Sequence, residues 1–282
     1  MIAVIYSGSR YAEWRLANKG QMVSSFKTPG INPFLNDEKY ILNILNKNDA
    51  LITNAERIRR IYFYGAGASS RERNEIIANA FSKFFRFSKI SIDHDMKAAA
   101  IACCGDEPGI VGIIGSGANA CYFDGKKLKL NNYGLGFVMA DEGSANWLGK
   151  QLLKNFLSET LPAKLSDILK SKYNLDRKQV LDKVYRQPQP ALFLSSFADF
   201  LMENRDNEWV EETVRKGFQR YCSFYLIPLA AQFPNSSLYV VGSVAAGFEG
   251  LLRETAYKNN LLISNIIKEP IHNVLNYYSD KN

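Results

Sequence analysis

The chain has four cysteines in 282 residues, Cys103, Cys104, Cys121 and Cys222, and none stands at the paired spacing of a zinc or redox motif. Small buried thiols are the expectation, with the vicinal Cys103-Cys104 inside an alanine-rich helical pattern. No stretch approaches about 18 consecutive apolar residues, which argues against a membrane span. No basic segment precedes the short strand pattern Met1-Ile2-Ala3-Val4, so no signal peptide is expected and the cytoplasm is the expected location. Concentrated charge is missing as well. The net charge is +7, but the basic residues come in ones and twos (Arg57, Arg59, Arg60; Lys126, Lys127, Lys129; Arg215, Lys216, Arg220) interleaved with acids. Solvated helix faces explain that pattern better than a nucleic-acid stripe, although a mildly basic surface attracts an anionic nucleotide.

What is present begins with length. At 282 residues the chain exceeds what one hydrophobic core usually supports, so two domains are expected. Two apolar strands each run into a Gly/Ser turn: Ile2-Ala3-Val4-Ile5-Tyr6 into Ser7-Gly8-Ser9, and Ile110-Val111-Gly112-Ile113-Ile114 into Gly115-Ser116-Gly117. Glycine lets backbone N–H groups approach an anion and serine adds hydroxyl donors, so each turn is a candidate phosphate cradle. Asp93-His94-Asp95 lies between the two, after the strand Ile90-Ser91-Ile92. Phosphate turns with a carboxylate between them point to phosphoryl transfer.

Alternation and turn signals give a three-stranded meander over Ile2–Tyr6, Ala12–Leu16 and Met22–Phe26. The loop Thr28-Pro29-Gly30-Ile31-Asn32-Pro33 follows, because two prolines flank a glycine. Helical spacing at Tyr40–Leu45, a strand at Arg60–Tyr64, a helix over about Ser70–Phe85 and the strand Ile90–Ile92 complete the first half. The second half restarts with strands at Gly109–Ile114, Ala120–Phe123 and Lys127–Leu130, the last two joined by the hairpin signal Asp124-Gly125. A mostly helical stretch extends to about Gln232, then comes the strand Leu238–Val241 and a helix over Glu249–Lys258. A meander followed by strand–helix alternation, twice over, indicates an α/β protein of two lobes with a cleft between them.

The motifs resemble those of the sugar kinase, Hsp70 and actin superfamily, and within it the N-acetylglucosamine kinase and BadF/BadG/BcrA/BcrD ATPase family. The matching segments are Ser7-Gly8-Ser9, Thr28 to Phe34, Tyr64-Gly65-Ala66-Gly67, Asp95 with its alanine-rich helix, Gly115-Ser116-Gly117-Ala118-Asn119, Asp141-Glu142-Gly143-Ser144 and Val241-Gly242-Ser243-Val244. The resemblance implies a two-domain actin-like ATPase (ribonuclease H-like) fold with duplicated lobes and a nucleotide cleft between them. Residues 1–107 form the N-terminal lobe, and 108–282 the C-terminal lobe with its helical insertion. It implies an ATP-dependent kinase that phosphorylates the 6-hydroxyl of a small amino sugar, with a degenerate sugar- and nucleotide-binding sensor or a BadF/BadG-type activating ATPase as the alternatives. It also implies ATP and magnesium as cofactors, no nucleic-acid or membrane partner, and compatibility with a homodimer.

Residue by residue, the resemblance makes Asp95 the general base that takes the proton from the sugar hydroxyl; a helix N-cap also explains that aspartate. Ser7, Gly8, Ser9, Gly115, Ser116 and Gly117 would hold phosphates, and Gly242-Ser243 the nucleoside. Asn32, Gly67, Asn119, Asp141 and Glu142 would contact the sugar, while a helix N-terminus alone also favours the two acids. Asp93 and His94 read as strand-end surface groups. One position departs from the family. Tyr6 stands where the first strand otherwise ends in a magnesium-binding aspartate, and a neutral phenol is a poor magnesium ligand, so no protein metal ligand is assigned.

Overall fold

The computed structural model describes residues 1–8, 10–129 and 132–281. Contacts divide the chain into two compact units. The first is Met1–Glu107 with Gly125–Lys127 and the chain from Glu269 onward, and the second is Pro108–Asp124 with Leu128–Lys268.

Unit 1 holds five strands: β1 (Ile2–Ser7), β2 (Tyr11–Asn18), β3 (Gln21–Pro29), β4 (Arg60–Gly65) and β5 (Lys89–His94), in the order β3-β2-β1-β4-β5. β1 to β3 form an antiparallel meander, and β4 and β5 run parallel to β1. Alternation along each strand sends side chains to opposite faces. Ala3, Ile5, Trp14, Leu16, Ile61 and Phe63 join one buried cluster with Ile41, Leu45, Ile77 and Phe81 of the helices Glu38–Asn46 and Arg71–Phe84. Val4, Ala17 and Tyr64 join the other, with Ala98 and Ile101 of the helix Asp95–Cys104 and Ile271, Val274 and Leu275 of the helix Ile271–Asp280. That last helix packs in unit 1, whereas the sequence pattern places 108–282 wholly in the second lobe. Its apolar stripe at positions 271, 274, 275 and 278 finds its partner on the first sheet, a choice made by tertiary packing that local periodicity does not encode.

Unit 2 repeats the topology with β6 (Pro108–Ile114), β7 (Ala118–Asp124), β8 (Leu128–Lys129), β9 (Leu238–Val241) and β10 (Ile263–Ile267), ordered β10-β9-β6-β7-β8. β6 to β8 are antiparallel neighbours, and β9 and β10 run parallel to β6. The helices between Ala145 and Gln232 build most of the core around Leu148, Leu152, Phe197, Phe200, Val214, Phe218 and Leu226. The expected strand Lys127–Leu130 is limited to Leu128–Lys129, and Leu130 lies outside the described residues. No helix among the described residues is long and apolar enough to cross a membrane.

Candidate active site

Ligands of open α/β sheets bind outside the carboxyl ends of the parallel strands. In unit 1, Tyr6-Ser7 ends β1, Tyr64-Gly65 ends β4 and Asp93-His94 ends β5, and these pairs lie side by side in register. Asp95 is the first residue of the following helix. The N-cap is His94, not Asp95: its Nδ1 lies 3.3 Å from Met96 N. His94 is thus not a plain surface group: when protonated, its Nδ1 instead donates to Asp95 Oδ1, 2.8 Å away. Burial pulls the imidazole pKa down, but the hydrogen bond and charge of Asp95, with Asp93 behind it, outweigh burial and raise it. Asp95 Oδ1 also accepts from Met96 N at 2.8 Å, while Oδ2 has no hydrogen-bond partner among the described residues. The carboxylate is held by one oxygen and offers the other.

Tyr6 lies on the face of the sheet that carries Val4, Tyr62 and Tyr64. Burial first, then the negative charges of Asp95 and Glu13, push its phenol pKa far above the ordinary value, so the hydroxyl stays protonated. Glu13, its cross-strand neighbour, bridges to Lys27 at 2.7 Å. Among the described residues no three or more His, Cys, Asp or Glu side chains gather to hold a metal ion. Tyr6 itself offers only a neutral hydroxyl and is a poor magnesium ligand.

Ser7, read as a phosphate contact, is fully buried. Its hydroxyl donates to Ile31 O at 2.9 Å and accepts from Ile31 N at 2.8 Å, which ties the proline-flanked loop to the end of β1. The Gly8 amide donates to Tyr11 O at 3.0 Å, closing the hairpin. Ser9 lies outside the described residues. Asn32 and Gly67 come together: Asn32 Oδ1 caps Phe34 N at 2.9 Å, and Gly67, at φ +82°, passes so close that a side chain there would strike Asn32 Oδ1.

In unit 2 the sequence-predicted residues converge at the carboxyl ends of β6 and β9. The Gly115 amide donates to Gly117 O at 2.9 Å, while the amides of Ser116 and Gly117 have no acceptor among the described residues. A Cβ built on Gly115 meets nothing within 4 Å, so space is open beside that residue, whereas one built on Gly117 would sit 3.1 Å from the Asp141 carboxylate. Its carbonyls are fixed from behind, Gly115 O accepting from Ala145 N at 2.9 Å and Ser116 O from Asn146 N at 3.0 Å. Two successive amides with no acceptor among the described residues suit an oxyanion. Gly242 presses against the same turn at φ +129°, where a Cβ would sit 2.7 Å from the Ile114 carbonyl carbon and 3.1 Å from Gly115 N. Ser243 begins the next helix and is exposed.

Asp141 is not free to serve only a ligand. Oδ1 accepts from Ala118 N at 3.0 Å and Oδ2 from Asn146 Nδ2 at 2.9 Å, so the carboxylate braces the Gly117-Ala118 turn against the helix Ala145–Leu157. Burial raises its pKa, with the Glu142 charge adding to the rise and the two hydrogen bonds opposing it. Glu142 is buried, its Oε2 accepting from Tyr225 Oη at 3.0 Å. Asn119 Oδ1 bonds its neighbour Ala120 N at 2.9 Å, and its carbonyl accepts from Tyr221 Oη at 2.8 Å. Sequence reasoning missed Asn146, Tyr221 and Tyr225. Pro228, which interrupts a long helical pattern, is the signal that points to the two tyrosines.

No protein-family model and no curated protein matches the chain. Among solved structures, a Porphyromonas gingivalis protein provisionally assigned as an N-acetylglucosamine kinase is 31% identical, with 99% of each chain covered and a TM-score of 0.93. A Chromobacterium violaceum protein with the same provisional assignment is 15% identical over 98% of each chain, with a TM-score of 0.71. A ROK family glucokinase from Streptomyces griseus, in complex with glucose and AMPPNP, is 16% identical over 98% of this chain and 97% of that one, with a TM-score of 0.58. The last two likenesses establish the fold alone.

Proposed function

Because the chain belongs to the N-acetylglucosamine kinase family of the sugar kinase, Hsp70 and actin superfamily, we propose that it is an ATP-dependent sugar kinase acting on the 6-hydroxyl of an amino sugar. The observation that carries the reading is the Gly115–Gly117 turn, whose Ser116 and Gly117 amides have no acceptor among the described residues and which has open space beside Gly115. Bound ATP supplies the phosphoryl group. Ser116 and Gly117 hold phosphate oxygens through their amides, and Gly242-Ser243 borders the nucleoside. Asp95 Oδ2 accepts the proton of the sugar hydroxyl, with His94 and Met96 N fixing the other oxygen. Glu142, Asn32, Gly67 and Asn119 orient the sugar. Asp141, as a brace, keeps the cradle in shape.

One observation favours a second reading, a sugar- and nucleotide-binding sensor without turnover. Tyr6 is a protonated phenol where the family resemblance implies an acid. A panel of amino sugars with ATP and magnesium, followed by ADP release, separates the two. Turnover at about 1–100 s⁻¹, ordinary for kinases, removes the sensor reading. Nucleotide and sugar binding without ADP release replaces the kinase reading with it.

A further inference from the structure

We infer that Tyr225 is a positioning residue for the sugar-binding acid Glu142, presented by a π turn built for that purpose; the inference rests on the kinase reading above. The helix Glu208–Tyr221 continues through a π turn, Cys222–Leu226, into the helix Ile227–Gln232. Pro228 has no N–H to return to the carbonyl four residues back, so an ordinary α-turn loses a bond at this point. The wider turn accommodates the loss, and Ile227 N–H reaches Cys222 O, five residues back. Such single π turns gather at functional sites.

The turn sets Tyr225 against the acidic segment. Its ring is 2% exposed, stacked on Tyr221 at 4.9 Å and edge-on to Tyr133 at 5.4 Å. A phenol has one proton and accepts on its oxygen, and both functions are used. Oη donates to Glu142 Oε2 at 3.0 Å and accepts from Asp141 N at 3.1 Å. Asp141 has the left-handed φ of +64°, a conformation that its surroundings must hold in place. One hydroxyl therefore fixes both the backbone bend before Glu142 and one oxygen of its carboxylate. Oε1 remains, 3.8 Å from an Arg220 guanidinium nitrogen, to meet a ligand hydroxyl.

The test is Tyr225→Phe, which keeps the ring and removes the hydroxyl, with N-acetylglucosamine and ADP titrated calorimetrically into wild type and variant. The expected result is a sugar affinity weakened about 10-fold, the scale of a lost hydrogen bond to a charged group, with ADP affinity changed by less than about twofold. Amide exchange at Asp141 and Glu142 should speed up in the same variant. Unchanged sugar affinity, or equal losses for sugar and ADP, overturns the inference while leaving the kinase reading intact. Wild type that binds no amino sugar overturns the kinase reading and the sugar role with it. In that case unchanged exchange at Asp141 also ends the positioning role.

Discussion

Replacing Gly115 or Gly242 with alanine adds the same methyl group to neighbouring turns, and the two changes are expected to fail in opposite ways. At Gly242 the methyl would sit 2.7 Å from the Ile114 carbonyl carbon, and φ is +129°. Backbone strain of about 1–3 kcal/mol and overpacking of about 1–3 kcal/mol add to roughly 2–6 kcal/mol of lost stability. At about 2–4 °C per kcal/mol, the melting temperature should drop by roughly 4–24 °C. At Gly115 the methyl meets nothing within 4 Å, and φ lies outside the glycine-only region. Folding stability should change by less than about 1 kcal/mol. On the proposed kinase reading, the methyl would instead crowd a phosphate approaching the Ser116 and Gly117 amides. Loss of two charge-assisted hydrogen bonds at about 1.5–3 kcal/mol each predicts ADP binding weaker by about 10²–10⁴-fold. Calorimetric unfolding and ADP titration on both variants make the comparison. A Gly115→Ala protein that binds ADP like wild type, or a Gly242→Ala protein as stable as wild type, refutes the cradle geometry.

Asp95→Asn keeps size but cannot take a proton, so turnover should fall about 10²–10⁴-fold while sugar and nucleotide binding hold; unchanged turnover removes Asp95 from the chemistry. Ser7→Ala frees the Ile31 peptide, so KM for the sugar should rise with KM for ATP unchanged, and the reverse pattern would return Ser7 to the phosphates. The His94 pKa is raised in the folded protein, so its pairing with Asp95 stabilises fully below the unfolded value of about 6.5 and is lost as pH rises through the folded value. Denaturant unfolding across pH 5 to 9 should show that slope, and His94→Gln should flatten it.

The meander β1 to β3 was legible because its alternation is regular and its turns carry glycine. β10 was not, since a bulge between Ile263 and Asn265 breaks the alternation on which such a reading depends. The helix Ile271–Asp280 has a readable stripe, but only tertiary contact assigns it to unit 1. At the site, sequence assigned Gly115–Gly117 and Gly242 to the nucleotide and Asp141 to the sugar, whereas the structure sets both Gly242 and Asp141 against the same turn. The exchange of roles lay beyond it. Asp141 reads as a ligand acid at a helix start, yet its oxygens meet Ala118 N and Asn146, and the bond to Ala118 spans 23 residues. Ser7 reads as a turn hydroxyl, yet it bonds a peptide 24 residues away. Hydrogen bonds across such separations leave no local periodicity to detect.

The most direct test of phosphoryl transfer to the sugar is phosphorus NMR of N-acetylglucosamine incubated with ATP, magnesium and the wild-type protein, beside the Asp95→Asn variant. A sugar 6-phosphate signal should grow with wild type and stay near background with the variant. No phosphorylated sugar from wild type, across N-acetylglucosamine and other amino sugars that bind, would contradict that transfer.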